Sequence, residues 1–334
     1  MKILLIRLSS IGDIVLTSPV IRAIKTQLNP VVLHVITRKS YQSVYAHNPY
    51  IDRVFGVEKS PDEIIGLLKA EKYDLLVDLH KNLRSFKLRF SLGIKTVTFP
   101  KLNWQKYLLV RFKINRMPDV HIVDRYFEAV RTLGVVNDQK GLDFFIDEEE
   151  IRHLPKLPDF VDMGFFAVVI GGNHNTKILP VSKLVEVIKQ LPKPVILLGG
   201  KEDQERGKEI ESLLTNQLWN ACGKLTLNQS AEIVRRADAV LTNDTGLMHI
   251  AAAFSKPVVS VWGNTVPQLG MYPYIPAFPE RVRIIENNNL SCRPCSKIGF
   301  ERCPKGHFKC MMDLDDELIA KSLVEISRLP QKDY

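Results

Sequence analysis

The chain has 334 residues, 45% apolar and 25% charged, with 46 Lys and Arg against 37 Asp and Glu, a formal charge of +9. That length exceeds most single cores and fits two domains of roughly 150 residues each. No run approaches the roughly 20 unbroken apolar residues of a membrane-spanning helix, and Met1-Lys2 leads straight into a short strand rather than a secretory leader, so the cytoplasm is the expected compartment. The positive charge calls for an anionic partner: nucleic acid, a phosphorylated sugar or an acidic lipid surface.

In chain order, the first half alternates short apolar runs with helical stretches. The runs are "KILLI", "VVLHVIT", "VFGV" and "YDLLVDL". The helices fall near 19–28, from Tyr41, near 62–71 and near 123–133. Between 147 and 162 the sequence "DEEEIRHLPKLPDFVD" turns acidic and then holds Pro155 and Pro158, which restrict the backbone and mark a linker. The alternation then restarts with "FFAVVI", "PVILLGG", "AVLTND" and "PVVSVWG", with helices from Val181, through 205–214 and from Leu247. Parallel sheets covered by helices follow, giving an α/β chain of two Rossmann-like domains, 1–155 and 163–334, with ligands expected at the strand ends in the cleft between them. A last helix near 315–328 could pack on either domain, including back on the first.

Two turns carry chemistry. "RLSSIGDIVLTSPVIRAI" places Ser9, Ser10, Gly12 and Asp13 between the first strand and its helix. Its glycine spacing is not the G-x-G-x-x-G of a dinucleotide site. "LTNDTGLMHIAAA" delivers Asn243, Asp244, Thr245 and Gly246 to a turn that opens a helix, where free N–H groups and the helix dipole favour an anion. His249, one helical turn on, points back toward it. Plain capping would account for Asp244, Thr245 and Asp13 as well.

These two stretches, with "VWGNTVPQLGMYPY", resemble the ADP-heptose:lipopolysaccharide heptosyltransferases, glycosyltransferase family nine, over essentially the whole chain. The resemblance implies a GT-B architecture, with the acceptor on the first domain and the nucleotide sugar on the second. It implies inverting transfer of a heptose from ADP-heptose to a Kdo-lipid A type inner core, with Asp13 as general base and Ser10 and Gly12 beside the acceptor. On the donor side it places Lys177, ahead of "ILP", at the diphosphate with Asn173, Thr176, Asp244, Thr245, Gly246 and His249. Asp203 is set near the sugar or ribose and Leu225 beside the adenine. No cofactor is required on this reading, although Asp244 could help hold Mg.

From Lys81 to Lys113 the chain carries nine basic residues, among them Lys81, Arg84, Lys87 and Arg89, and no acid, interleaved with Phe86, Phe90, Trp104, Tyr107 and Phe112. Such a stretch suits an anionic membrane surface, and single-stranded nucleic acid too. With the family resemblance, the expected partner is a lipopolysaccharide precursor on the inner face of the inner membrane, contacted peripherally, and not nucleic acid. Cys292, Cys295, Cys303 and Cys310, with His307 among them, offer a structural zinc site or a loop of free or locally bridged thiols. The other readings are a transferase using a different nucleotide sugar, a nicotinamide-dependent oxidoreductase, which lacks its glycine fingerprint, and a nucleic-acid-binding protein, which leaves Asp13 and the Asp244 turn without purpose.

Overall fold

The computed structural model describes residues 1–214 and 217–330; residues 331–334 of the expected second domain lie outside these. The chain divides into two compact units, Met1–Lys101 with Val120–Phe145, and Leu102–Asp119 with Ile146–Tyr334.

The first unit is built on five parallel strands, β1 (Lys2–Ile6), β2 (Val32–Arg38), β3 (Arg53–Val57), β4 (Leu75–Asp78) and β5 (Thr96–Thr98), in the order β3-β2-β1-β4-β5. Strands buried on both faces read as unbroken apolar runs, which is how β1 and β4 appear. Alternation along β1 sends Leu4 and Ile6 to one face, where they join Ile36, Phe55 and Leu76 beneath α3 (Ile65–Ala70) and α4 (Leu83–Leu92). The opposite face is covered by α2 (Ser18–Gln27), which follows the short α1 (Ile11–Val15), and by α6 (Ile122–Val130), which contacts α2. Between α4 and α6 lies α5 (Asn103–Phe112), and it does not belong to this unit. Leu109 of α5 and the nearby Met117 pack on Val266 and Leu269 of the second unit. The chain therefore leaves the first unit at Lys101 and returns at Val120, instead of crossing once near 155–163 as the linker prolines suggested. That linker itself holds α7 (Glu148–Arg152).

The second unit repeats the plan with six parallel strands: β6 (Phe166–Val169), β7 (Val195–Leu198), β8 (Leu218–Asn220), β9 (Ala239–Asn243), β10 (Val258–Trp262) and β11 (Val282–Glu286), ordered β11-β10-β9-β6-β7-β8. Its helices are α8 (Val181–Lys189), α9 (Gln204–Ser212), α10 (Leu227–Arg236), α11 (Gly246–Ala253), α12 (Lys309–Met312) and α13 (Asp316–Ser327). Ile319, Leu323 and Ile326 of α13 share a core with Phe166, Val168, Leu184 and Ile188, so of the two expected positions the last helix takes the one on the second unit.

In both sheets the strand order reverses beside the first strand, between β1 and β4 in one and between β6 and β9 in the other. At such a switch point the connections leave toward opposite faces and open a crevice outside the strands' carboxyl ends. Each unit thus has one position where its topology favours a ligand.

Candidate functional site

At the switch point of the first unit, β1 ends at Ile6 beside Asp78 of β4. Arg7 follows and is buried. Its guanidinium donates to the carbonyls of Ser9 and Leu79 and to the Tyr126 hydroxyl, 3.0 Å away. The remaining nitrogen, Nη2, stands 2.6 Å from Asp13 Oδ1. The other carboxylate oxygen, Oδ2, accepts from the Ser10 hydroxyl at 3.0 Å and the Ser10 N–H at 3.3 Å. Burial pushes the Asp13 carboxyl up, but the Arg7 charge and the Ser10 hydrogen bonds outweigh it and hold the group below the ordinary aspartate value. Asp13 is therefore an anchored carboxylate whose side chain keeps 24% of its surface open. Ser10 aims it, while Gly12 is buried within α1.

His80, two residues beyond β4, was not singled out by sequence. Asn82 caps α4, its Oδ1 accepting from the N–H groups of Arg84 and Ser85, so its Nδ2 is the atom 2.7 Å from His80 Nε2 and donates to it. The imidazole is then neutral with its proton on Nδ1, a buried atom without a partner. Burial, then the charges of Arg7 and Lys101, push its pKa down to about 3. Of the basic candidates here, Lys81 donates to the Phe99 carbonyl at 2.8 Å, Arg89 stands 3.9 Å from Asp78, and Arg84 and Lys87 are exposed.

The second unit's switch point joins the loop after β6 to the turn after β9. Asn243 holds them together: its Oδ1 accepts from Leu179 N–H, and its Nδ2 donates to the carbonyls of Val169 and Gly171. Lys177 Nζ reaches Asp244 Oδ2 at 2.6 Å, and Thr265, beyond β10, donates to the same oxygen at 3.1 Å. Thr245 precedes α11 without bonding its side chain to the helix start, and Thr245, Gly246 and Leu247 are partly exposed. Unused N–H groups of that first turn, at the positive end of the helix dipole, lie next to a lysine, an arrangement suited to phosphate. His249 is buried in α11.

The chain as a whole is similar to known proteins. Residues 63–303 match the profile of glycosyltransferase family 9 (heptosyltransferase). The chain belongs to that family. It is 24% identical to lipooligosaccharide heptosyltransferase 2 of Haemophilus influenzae, over 98% of this chain and 99% of that one. It is 25% identical to lipopolysaccharide heptosyltransferase 1 of Campylobacter coli, over 79% and 84%. The solved structure of E. coli ADP-heptose LPS heptosyltransferase II superposes with a TM-score of 0.72 at 20% identity, covering 98% of each chain. That of E. coli heptosyltransferase WaaC with ADP gives 0.68 at 20%, over 98% of this chain and 100% of the other. The two Rossmann-like units are those of the GT-B fold, and the protein is a glycosyltransferase.

Several expected donor residues of this glycosyltransferase are placed differently. Thr176 is buried, and its hydroxyl both donates to Phe300 O and accepts from Phe300 N–H, so it anchors the 296–300 segment and has no hydroxyl hydrogen left for a phosphate. Asp203 is buried as well: it accepts from Gly200 N–H and pairs with Arg206 at 2.7 Å, with burial pushing its carboxyl up, so it closes the turn after β7 rather than facing a ligand. Asn173 is exposed, and Leu225 is half-buried just before α10. Asp244, set against Lys177 and Thr265, is engaged by protein donors.

The cysteine segment is a scaffold around Arg293. That buried side chain donates to the carbonyls of Gly263, Trp262, Thr265 and Asn287 and pairs with Glu286 at 2.8 Å, fastening the loop after β10. Cys292, Cys295, Cys303 and Cys310 are free thiols. Cys292 Sγ is 3.8 Å from His307 Nε2, and among the described residues no group of three or more His, Cys, Asp or Glu is arranged to hold a metal ion. The zinc arrangement is therefore not formed here.

Sequence reading missed Asn264, which follows Gly263 in this loop. Its side-chain oxygen and nitrogen are both buried without a partner, while its N–H donates to Thr176 O at 3.3 Å. Buried amide atoms left unpaired cost about 1–3 kcal/mol each. The one signal available was an amide residue inside a Gly/Pro-rich loop.

Proposed function

We propose that this glycosyltransferase moves a heptose from ADP-heptose to the inner core of a lipopolysaccharide precursor of the Kdo-lipid A type. The observation that carries the reading is the chemistry at the two switch points: an ionised, partly open carboxylate in one unit, and a lysine beside an open helix start in the other. The relatives' names supply the sugar and the acceptor class.

In this mechanism the acceptor hydroxyl oxygen attacks the anomeric carbon of the heptose, and Asp13 takes its proton as that oxygen becomes acidic in the transition state. The bond between the anomeric carbon and the diphosphate oxygen breaks on the opposite face, so the configuration inverts. ADP departs with the bonding pair, and its growing charge meets Lys177 and the N–H groups of the Thr245-Gly246 turn. Arg7 keeps Asp13 ionised before each turnover. Asn264 and His249 adjoin the donor turn, and Leu225 is assigned to the adenine. Ser10, Gly12, Lys81, Arg84, Lys87 and Arg89 are assigned to the acceptor, whose phosphates and carboxylates explain a basic surface. These assignments need no metal ion, because protein donors meet the phosphates.

We further infer that the protein works in the cytoplasm as a peripheral protein on the inner membrane, where such an acceptor is anchored. No helix among the described residues is long and apolar enough to cross a membrane. Calorimetric titration with ADP, UDP, GDP and NAD tests the donor assignment: selective ADP binding supports it, and preference for another nucleotide sinks it. Transfer to a purified Kdo-lipid A acceptor, followed by mass spectrometry, tests the rest.

A further inference from the structure

Ten Lys and Arg and no Asp or Glu lie between Leu79 and Pro118. The other 36 basic residues face 37 acidic ones, so this interval holds the whole positive excess of the chain. Two helices fall within it, one in each unit, and both turn large apolar side chains to water.

On α4, Ser85 and Leu88 are buried against the sheet. Leu83, Phe86 and Phe90, spaced three and four apart, form a stripe on the outer side, with Leu83 73% and Phe90 84% exposed. Arg84 and Lys87 flank the stripe, and the Arg89 guanidinium lies 5.9 Å from the Phe86 ring centroid. On α5, Leu109 faces inward while Trp104, Tyr107 and Phe112 are exposed, Trp104 at 65%. Trp104 stacks on Tyr107 at 5.7 Å, and Tyr107 meets Phe112 edge-on at 5.8 Å. Lys106 and Arg111 lie among them.

A helix on a water-exposed surface ordinarily turns charged or polar side chains of both signs outward. These two helices carry rings and cations outward, with no carboxylate, on elements whose inner faces are already satisfied. Water is a poor partner for the rings, and no acidic residue within the interval balances its cations. A sheet of anionic headgroups over hydrocarbon satisfies both at once, the rings entering the headgroup zone and the cations meeting lipid phosphates.

We propose that the outer faces of α4 and α5 are each a lipid-docking face, Leu83, Phe86 and Phe90 on α4 and Trp104, Tyr107 and Phe112 on α5 entering an anionic phospholipid surface. The proposal deepens the reading of a membrane-borne acceptor and rests on it for its location. It adds that attachment is in part apolar. Basic residues alone would give binding that salt abolishes; inserted rings leave a salt-resistant remainder.

The test uses the full chain with vesicles of phosphatidylglycerol and phosphatidylcholine, or of phosphatidylcholine alone, read by sedimentation and by tryptophan emission. Binding to the anionic vesicles is expected to be at least about tenfold tighter, with a blue shift that Trp104→Phe removes, and with part of the binding surviving high salt. The pairs Phe86→Ser with Phe90→Ser, and Trp104→Ser with Phe112→Ser, are each expected to weaken it by about tenfold while ADP affinity holds, which shows that the fold is intact. Equal binding to both vesicle types, or complete loss in salt with no effect of either ring pair, overturns the proposal. An unaffected pair removes its own helix from it, and ring-dependent binding of an oligonucleotide that displaces the vesicles assigns the faces to nucleic acid instead. Transfer to a water-soluble, delipidated core acceptor separates this outcome from failure of the catalytic reading: it persists if only the docking is wrong.

Discussion

Arg7 and Asp13 form an ion pair at 2.6 Å across the turn that leaves the first strand, while the guanidinium's other hydrogen bonds go to Ser9 in that turn, to Leu79 after β4 and to Tyr126 of α6. The pair therefore does two things: it positions the carboxylate, and it keeps the carboxylate charged despite burial. Replacing Arg7 by Met is expected to raise the Asp13 pKa, because burial then acts unopposed by the guanidinium. The acid limb of kcat/KM should move to higher pH, and stability should fall by about 3–5 kcal/mol, as when one partner of a buried pair is removed. A pH–rate profile whose acid limb stays in place would refute the electrostatic role.

In the wild type the sign runs the other way. The lowered Asp13 pKa means the base is ionised throughout neutral pH, so activity should lose this proton acceptor only below the ordinary aspartate value of about 3.9. Asp13→Asn keeps the shape and removes the base. A loss of transfer on the order of 10²–10⁴-fold is expected with ADP affinity unchanged, measured by turnover and calorimetry on the same preparation.

Lys177 is held by Asp244 and stands beside the open start of α11. Lys177→Met should weaken ADP binding by about tenfold or more, the worth of a charge-assisted hydrogen bond, and should lower turnover further because the charge on the leaving diphosphate grows in the transition state. Equal affinity in wild type and variant would return this lysine to a purely structural pairing with Asp244.

His80 titrates outside the useful range: its pKa is pushed down to about 3, first by burial and then by Arg7 and Lys101. An unfolded chain protonates this residue near 6.5, so between about 6.5 and 3 the unfolded state binds the extra proton. Its contribution to stability is present above 6.5 and is lost as pH falls through that window. Chemical denaturation of His80→Asn at several pH values should show a shallower decline than wild type; identical slopes would mean that another group drives it.

At Gly263 the loop after β10 runs against the Lys177 loop. A Cβ there would stand 2.5 Å from the Thr176 carbonyl oxygen, a backbone atom that cannot rotate away. Gly263→Ala should cost about 1–3 kcal/mol by overpacking and weaken ADP binding by displacing Lys177. A thermal midpoint and an ADP affinity both equal to wild type would show that the loop yields freely.

The amino-acid sequence by itself determined the α/β alternation, the eight strands that carry short apolar runs, the turns that follow β1 and β9, and the concentration of positive charge between Lys81 and Lys113. These are local signals: an apolar run flanked by turn residues reads the same wherever it lands. Strands β5, β8 and β11 were missed because they are short or mixed in polarity and gain their order from a neighbour's hydrogen bonds. The expected helix from Tyr41 is a 3₁₀ turn over Lys39–Val44, and α4 and α5, whose outer faces carry rings, lack the polar-apolar contrast that marks a surface helix.

Only the tertiary structure decided which polar residues are spent on the scaffold and which remain available. Asp203 and Thr176 look like ligand contacts in a strand-end loop, yet each is consumed by the backbone beside it, whereas Arg7, Asn264 and His80 became visible only once their partners, or the lack of them, could be named. It also assigned both α5 and α13 to the second unit. For Thr176, Arg7, α5 and α13 the physical reason is the same: hydrogen bonds and packing between residues distant in sequence depend on strand order and register, which no local pattern of residue types encodes; for Asp203 and His80 the partners are local, and it is their burial that only the fold decides.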